Sequence, residues 1–353
     1  MIYIVYLLYS FFIFKFVDAR NRLSFFMGAA LVSVPWIVII GGQYNVGADY
    51  FPYLYFFNNP TTDGRFEPIF AFTSVFLYDI GVIGQFQFFF FAFINALCFF
   101  VAVRKLEISR VMLFFFLFVT VSTLFNNQMN GIRQCVATFI VFLAFVEFYD
   151  SKIIAVLLII WAAGFHYSAL VCLPFFFFKE IVLFATKRPR LLLLLTLIVT
   201  LLPLGEVANR YIFAYLPDFI REETAYSAMY EGNDYVNEQV GLQFKLSKLL
   251  LLPIYYLSLE ILDRDYLSDK ERLFFRFGIL AFSLRCMLLM NNLVGRFSYY
   301  FWLPSILPIY YYIKYLLDNK LQLKAVACLA YSSIIYFIKV IMAVNEYKYE
   351  FFV

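Results

Sequence analysis

Stretches of about twenty residues with almost no charge recur from one end of this chain to the other. Residues 23–41 and 86–103, for example, contain no Asp, Glu, Lys, Arg or His. A helix needs about 20 mostly apolar residues to cross the hydrocarbon of a bilayer. There the backbone must satisfy its own hydrogen bonds, which leaves helices and closed barrels as the only spanning structures. The expected fold class is therefore all-α, a polytopic transmembrane helical protein. Composition agrees: 64% of the 353 residues are hydrophobic and the mean hydropathy is +0.80, whereas soluble domains are about half apolar. A nucleic-acid-binding role is not expected. The five cysteines, Cys98, Cys135, Cys172, Cys286 and Cys328, all fall in apolar runs and none forms a CxxC pair. Neither a zinc site nor a disulfide framework is suggested. The first run, 2–17, has no basic leader and no small-x-small cleavage pattern, so it reads as a retained span.

Apolar runs place spans at 2–17, 23–41, 86–103, 111–125, 129–149, 191–213, 244–262, 273–290, 298–317 and 322–343. A further stretch, 153–184, is too long for one helix and short for two; Gly164, His166 and Tyr167 interrupt it, which predicts a broken helix pair meeting at 164–168. The total is about 12 spans by the length rule. No internal repeat or linker is visible, so 1–353 is expected to be a single membrane domain with outer loops at 42–66 and 205–243. Five short loops are basic: Lys15, Arg20 and Arg22; Arg104, Lys105 and Arg110; Lys179, Lys187, Arg188 and Arg190; Arg264, Lys270 and Arg272; Lys314, Lys320 and Lys324. Lys/Arg-rich short loops stay in the cytoplasm, which puts both termini outside. It also requires 66–83, opened by Glu67-Pro68, to be a short interfacial helix; Pro favours a first helical turn. An ordinary span there would instead put Arg104 outside.

That topology leaves ionisable residues facing outward without a topological reason: Asp49, Arg65, Glu67, Arg133, His166, Arg210, Lys245, Lys248, Arg296 and Lys339, with Arg285 deeper in its span. Such groups are costly in membranes and read as functional. Lys245 and Lys248 are expected to snorkel to the interface, and Arg210 reads equally as an anchor. Arg133 and Gln134 fall in the first turn of a helix after the polar break Asn126–Gly131, where free N–H groups favour anions. Arginines without matching carboxylates suit an anion with several oxygens, because the guanidinium fork binds phosphate bidentately. The only histidine, His166, is either structural or a base; an imidazole titrates at about 6.5 when unperturbed. The acidic, tyrosine-bearing loop 205–243 suits either sugar recognition or simple solvation, and is long enough for a lid.

Four segments carry a resemblance. Val46-Gly47-Ala48-Asp49-Tyr50 with Tyr53, then Arg65-Phe66-Glu67-Pro68 and Phe70, resembles the first outer loop of the EpsG family. Asn130-Gly131-Ile132-Arg133-Gln134 with Ala137 resembles its NxxRQ helix start, Phe165-His166-Tyr167-Ser168-Ala169-Leu170 its FHxSAL break, and Gly295-Arg296-Phe297-Ser298-Tyr299-Tyr300-Phe301 its RxxxYF segment. One departure is Gln43-Tyr44-Asn45, where relatives often carry an arginine. The resemblance implies a GT-C-like glycosyltransferase grouped with Wzy-type O-antigen polymerases, needing neither metal nor other cofactor. Its substrate would be an undecaprenyl-pyrophosphate-linked oligosaccharide outside the bacterial plasma membrane, and its partners membrane lipids and a chain-length regulator.

On that reading Arg133, Arg285, Arg296 and Gln134 bind pyrophosphate and stabilise its developing charge. His166 or Asp49 takes the acceptor proton. Arg65, Glu67, Arg210, Tyr299 and Tyr300 contact the rest of the substrate. An O-antigen ligase would share this chemistry and differ in acceptor. A flippase or transporter would also hold cations for a lipid pyrophosphate, but transporters often carry inverted repeats and midplane charges. A membrane acyltransferase would be expected to show more than one conspicuous histidine.

Overall fold

The computed structural model describes residues 2–47, 49–202, 242–289, 292–342 and 348–352. Regular structure among them is helical, apart from an isolated antiparallel bridge between Gln43 and Phe351. Among the described residues, four helices are long and apolar enough to cross a membrane: Arg22–Gly41, Gln85–Lys105, Ile132–Asp150 and Tyr167–Ala185. Shorter apolar helices are Ile2–Lys15, Pro68–Asp79, Val111–Ser122, Lys152–Ala163 and Pro189–Leu201. This is a polytopic membrane protein. The helix expected to lie in the interface is Pro68–Asp79, with Pro68 as its first residue. Its 12 residues measure about 18 Å, well short of a bilayer core of about 30 Å. The broken pair is also present: Lys152–Ala163 ends at Gly164, and a tighter 3₁₀ segment, Tyr167–Phe177, starts after His166. Most of the loop 205–243 lies outside the described residues, which resume with the helix Leu242–Leu249.

The chain falls into two compact units, one comprising 1–62, 68–166 and 333–353, the other 63–67 and 167–332. In the first, Trp36 is fully buried within a ring of phenylalanines: it stacks on Phe118 at 5.0 Å and meets Phe99, Phe125 and Phe139 at 5.5–5.9 Å. Lipid is as apolar as these side chains, so packing and interhelical hydrogen bonds must hold the helices together. The indole Nε1 donates to Gln128 Oε1 at 3.2 Å, and Asn95 Nδ2 donates to the same oxygen at 2.9 Å. The expected span 111–125 is interrupted: after Leu117 the chain loosens into a π-helical turn, Phe118–Ser122, and Thr123 takes a left-handed conformation. Two basic loops meet at one end of this unit, where Arg104 Nη1 donates to Ala19 O at 2.6 Å and Lys105 pairs with the buried Glu147 at 2.8 Å.

The second unit is organised around the helix Asp269–Met287. A reciprocal capping box starts it, Ser268 accepting from the Glu271 N–H while the Glu271 carboxylate accepts from the Ser268 N–H. Phe282 stacks on Tyr255 at 3.8 Å and Phe277 meets Phe178 at 4.8 Å. Gly278 is the point of closest approach: a Cβ there would lie 2.3 Å from Pro308 Cδ, so only glycine lets these segments pack so closely. Basic loops share one end of this unit as well. Arg276 Nη1 donates to Thr186 O at 2.9 Å, and Lys314 pairs with Glu271 at 2.9 Å.

Candidate functional site

Polar residues singled out by the sequence lie away from the basic end of the first unit. In the first unit, the helices Arg22–Gly41, Gln85–Lys105 and Ile132–Asp150 each keep one terminus near the basic loops. Their other termini, some 30 Å distant along the helix axes, bring residues 41–50, Gln85 and 130–134 together. Gln43 is buried and donates from Nε2 to Met129 O at 3.1 Å. Gln85 Nε2 donates to the carbonyls of Gly41 and Gln43 at 2.5 and 2.9 Å, and its Oε1 accepts from Tyr50 Oη at 2.7 Å. Asn45 and Gly47 take positive φ values of 52° and 83°, which turns the chain so that the Asp49 N–H reaches Asn130 Oδ1 at 3.4 Å. The Asp49 carboxylate itself lies on an exposed residue.

Arg133 and Gln134 occupy the first turn of Ile132–Asp150, both half-buried. Arg133 Nε donates to Tyr53 Oη at 3.2 Å, and its guanidinium carbon sits 5.9 Å from the Phe70 ring centre. Tyr53 in turn packs edge-on against Phe70 at 6.0 Å. Phe70 is placed by an unusual helix start: the N–H groups of Ile69 and Phe70 both donate to Gly164 O, at 2.9 and 3.1 Å. Opening N–H groups of a helix have no partner within it, and here the carbonyl at the break supplies one. Three sequence motifs, far apart along the chain, therefore share one cluster. His166, two residues past Gly164, is only 5% exposed. Tyr53, Phe70 and Asn130 were not named as site residues from sequence, although each stood inside a matched motif.

The second unit holds the other candidates. Ser168 and Tyr300 hydroxyls lie 2.7 Å apart, joining the break motif to the segment after Arg296. Arg285, near the end of Asp269–Met287, is 2% exposed. Its guanidinium carbon lies 4.9 Å from the Trp302 ring centre and Nη1 donates to Ser305 Oγ at 3.3 Å, while Nε is buried without a hydrogen-bond partner. Among the described residues no carboxylate pairs with it. Tyr299 stacks on the same indole at 4.3 Å. Lys248 also lies against it, with Nζ 5.2 Å from the ring centre. Lys248 and Lys245 are both buried, and Lys245 Nζ donates to Leu202 O at 3.5 Å, which corrects the expectation that they snorkel outward. The spacing of 54 residues between Lys248 and Trp302 hides their contact from any sequence pattern.

Arg296 is half-buried in the short helix Asn292–Phe297. Glu67 is buried, at 4% exposure. Arg65 pairs with Asp63 at 2.9 Å through a side chain that is 74% exposed, an arrangement that contributes little to stability. Arg210 lies outside the described residues. One unit thus holds an arginine at a helix start, and the other holds a buried arginine that no carboxylate pairs with among the described residues. Both kinds of site suit an oxyanion.

A model of one family, described as the EpsG family, matches residues 26–351. No curated protein and no solved structure matches the chain. Together with the apolar helices, the match supports a broad assignment: a membrane protein of polysaccharide biosynthesis with glycosyltransferase-like polymerase function.

Proposed function

From the premise that this chain belongs to the EpsG family, we propose that it is a Wzy-type polymerase of surface-polysaccharide repeat units in the bacterial plasma membrane. It moves the growing glycan from undecaprenyl pyrophosphate to the next lipid-linked repeat unit, on the extracytoplasmic face. The observation that carries this reading is Arg285, a buried guanidinium with an unpartnered Nε and no carboxylate against it among the described residues. Burying such a charge is costly, and a ligand rich in anionic oxygens offsets that cost.

The reaction forms one bond and breaks one. An acceptor sugar hydroxyl attacks the anomeric carbon of the donor, the bond from that carbon to the pyrophosphate oxygen breaks, and the hydroxyl proton passes to a base. His166 is the first candidate for the base and Asp49 the second. Arg133, Arg285 and Arg296, with Gln134, bind pyrophosphate oxygens and stabilise the charge that grows on them as the bond breaks. Arg65, Glu67, Arg210, Tyr299 and Tyr300 contact the remainder of the substrate. Membrane lipids surround the chain, and a chain-length regulator is its protein partner. The basic loops, which share one end of each unit, belong in the cytoplasm by the positive-inside rule.

Polymer profiling in a deletion strain tests this. A polymerase leaves single repeat units on the final acceptor and no ladder. Accumulation of unattached full-length polymer would instead make the protein a ligase, and accumulation of lipid-linked units on the cytoplasmic face a flippase.

A further inference from the structure

Two buried cations share one indole in the second unit. Arg285 and Lys248 are 2% and 5% exposed, and their charged groups lie 4.9 and 5.2 Å from the Trp302 ring centre. A ring face attracts one cation well, but two like charges brought to the same ring in a medium of low dielectric repel each other. Both are also taken from water at considerable cost. The local polar groups do little to compensate Arg285. Ser305 Oγ takes one guanidinium N–H while itself donating to Trp302 O at 2.7 Å, and Arg285 Nε has no partner. The indole is fixed from both ends: Nε1 donates to Ser298 Oγ at 3.3 Å and Tyr299 stacks on the ring at 4.3 Å. A rigid ring thus sets the position of two cations from different helices, Leu242–Leu249 and Asp269–Met287. A compact group with several negatively charged oxygens can bind the fork and the ammonium at once.

We propose that Lys248 and Arg285, positioned by Trp302, form a two-cation seat for the phosphate of a lipid headgroup, which makes Lys248 a ligand-binding residue. The inference rests on the reading of Arg285 given above and extends it to a lysine, a ring and a geometry. The phosphate can come from a polyprenyl pyrophosphate or from a membrane phospholipid.

The test uses the full chain in phosphatidylcholine nanodiscs, titrated with inorganic pyrophosphate and followed by tryptophan emission. Trp302→Phe identifies the signal. A saturable change is expected that disappears in Trp302→Phe, weakens about tenfold or more in Lys248→Met, and survives in Lys248→Arg. In the polymerisation assay Lys248→Met should raise KM for the lipid-linked donor more than it lowers kcat. If pyrophosphate gives no signal, discs containing phosphatidylglycerol decide the source. Stabilisation by that lipid that is lost in Lys248→Met keeps the seat and assigns it to a phospholipid. Pyrophosphate affinity and lipid response both unchanged in a folded Lys248→Met protein overturn the seat. The polymerase reading fails separately, when wild-type protein binds pyrophosphate through Lys248 but makes no polymer.

Discussion

Replacing Gly47 by alanine tests whether the turn before Asp49 is held by its contact with Asn130. Two costs add. Gly47 has φ of +83°, and an L-residue in that region costs about 1–2 kcal/mol. The new Cβ would also lie 2.8 Å from Asn130 Oδ1, 2.9 Å from its Cβ and 3.0 Å from its Cα. The amide can swing away but the Cα cannot, so the second cost resembles overpacking, about 1–3 kcal/mol. The sum is about 2–5 kcal/mol, concentrated on the turn and on the start of the helix that carries Arg133. Gly64 supplies the control. Its φ is +88°, yet nothing lies within 4 Å of a Cβ placed there, so Gly64→Ala bears only the backbone term. Thermal unfolding of purified protein should show Gly47→Ala lowered more than Gly64→Ala. Hydrogen exchange should show faster exchange at residues 130–134 in Gly47→Ala alone, and polymer formation should fall in that variant. A Gly47→Ala protein no less stable than Gly64→Ala, with unchanged exchange at 130–134, would refute the close packing argued here.

Arg285→Ala and Arg133→Ala should abolish polymer at near-normal protein levels, and lysine at either site should restore little, because a point charge cannot reproduce the fork; full rescue by lysine would remove bidentate phosphate binding from the mechanism. His166→Ala should cut turnover by about 10²–10⁴-fold with little change in lipid-substrate binding, whereas near wild-type turnover in His166→Gln would make the histidine a positioning residue and move the search for the base to Asp49. In a variant with all five cysteines replaced, a cysteine introduced at Glu107 should resist impermeant thiol reagents in intact cells and one at Tyr230 should react. The Glu271 carboxyl provides a pH test. Burial acts to raise its pKa, but the Ser268 N–H and the Lys314 ammonium lower it further, below the ordinary carboxylate range. A depressed folded-state value means its contribution to stability is complete above the unfolded value of about 4.3 and is lost as pH falls through the lower folded value. Acidification below pH about 4 should therefore lower the unfolding temperature of wild type more than that of Glu271→Gln, and equal slopes would count against the pairing.

Long uncharged runs made the helices legible, since in lipid an apolar stretch has no other open structure to adopt. Local chemistry also marked some boundaries: Pro68 opens its helix, and the chain breaks between Ala163 and Tyr167 where Gly164 and His166 interrupt the apolar pattern. Departures occur where tertiary contact decides. The π turn at Phe118–Ser122 and the left-handed Thr123 lie in a run whose composition alone reads as uninterrupted helix. The segment expected as a span over 298–317 is a sequence of short pieces, with 3₁₀ turns at Ser298–Phe301 and Pro304–Ile306 before the α-helix Leu307–Asp318. At the candidate site, the residue types were visible but their company was not. Tyr53 meets Arg133 across 80 residues, and an intervening distance of that size leaves no periodic trace. Lys248 was misjudged for a related reason: a lysine near a span end usually reaches outward, and only the folded position of Trp302 turns it inward.

The Gly164 carbonyl has a dependence built into it. It accepts from both Ile69 and Phe70, so the interruption in one helix is the cap of another, and neither can be repaired alone. Restoring regular helix through 164–168 would withdraw that oxygen into an intrahelical bond and strip two opening N–H groups of their acceptor. Extending the Pro68 helix backward would meet a proline that cannot donate and would leave the carbonyl unmatched. Engineering that aims to stiffen the break must therefore be judged by what happens at Ile69 and Phe70. The two segments are one structural unit, and a change at one should be tolerated only when accompanied by an answering change at the other.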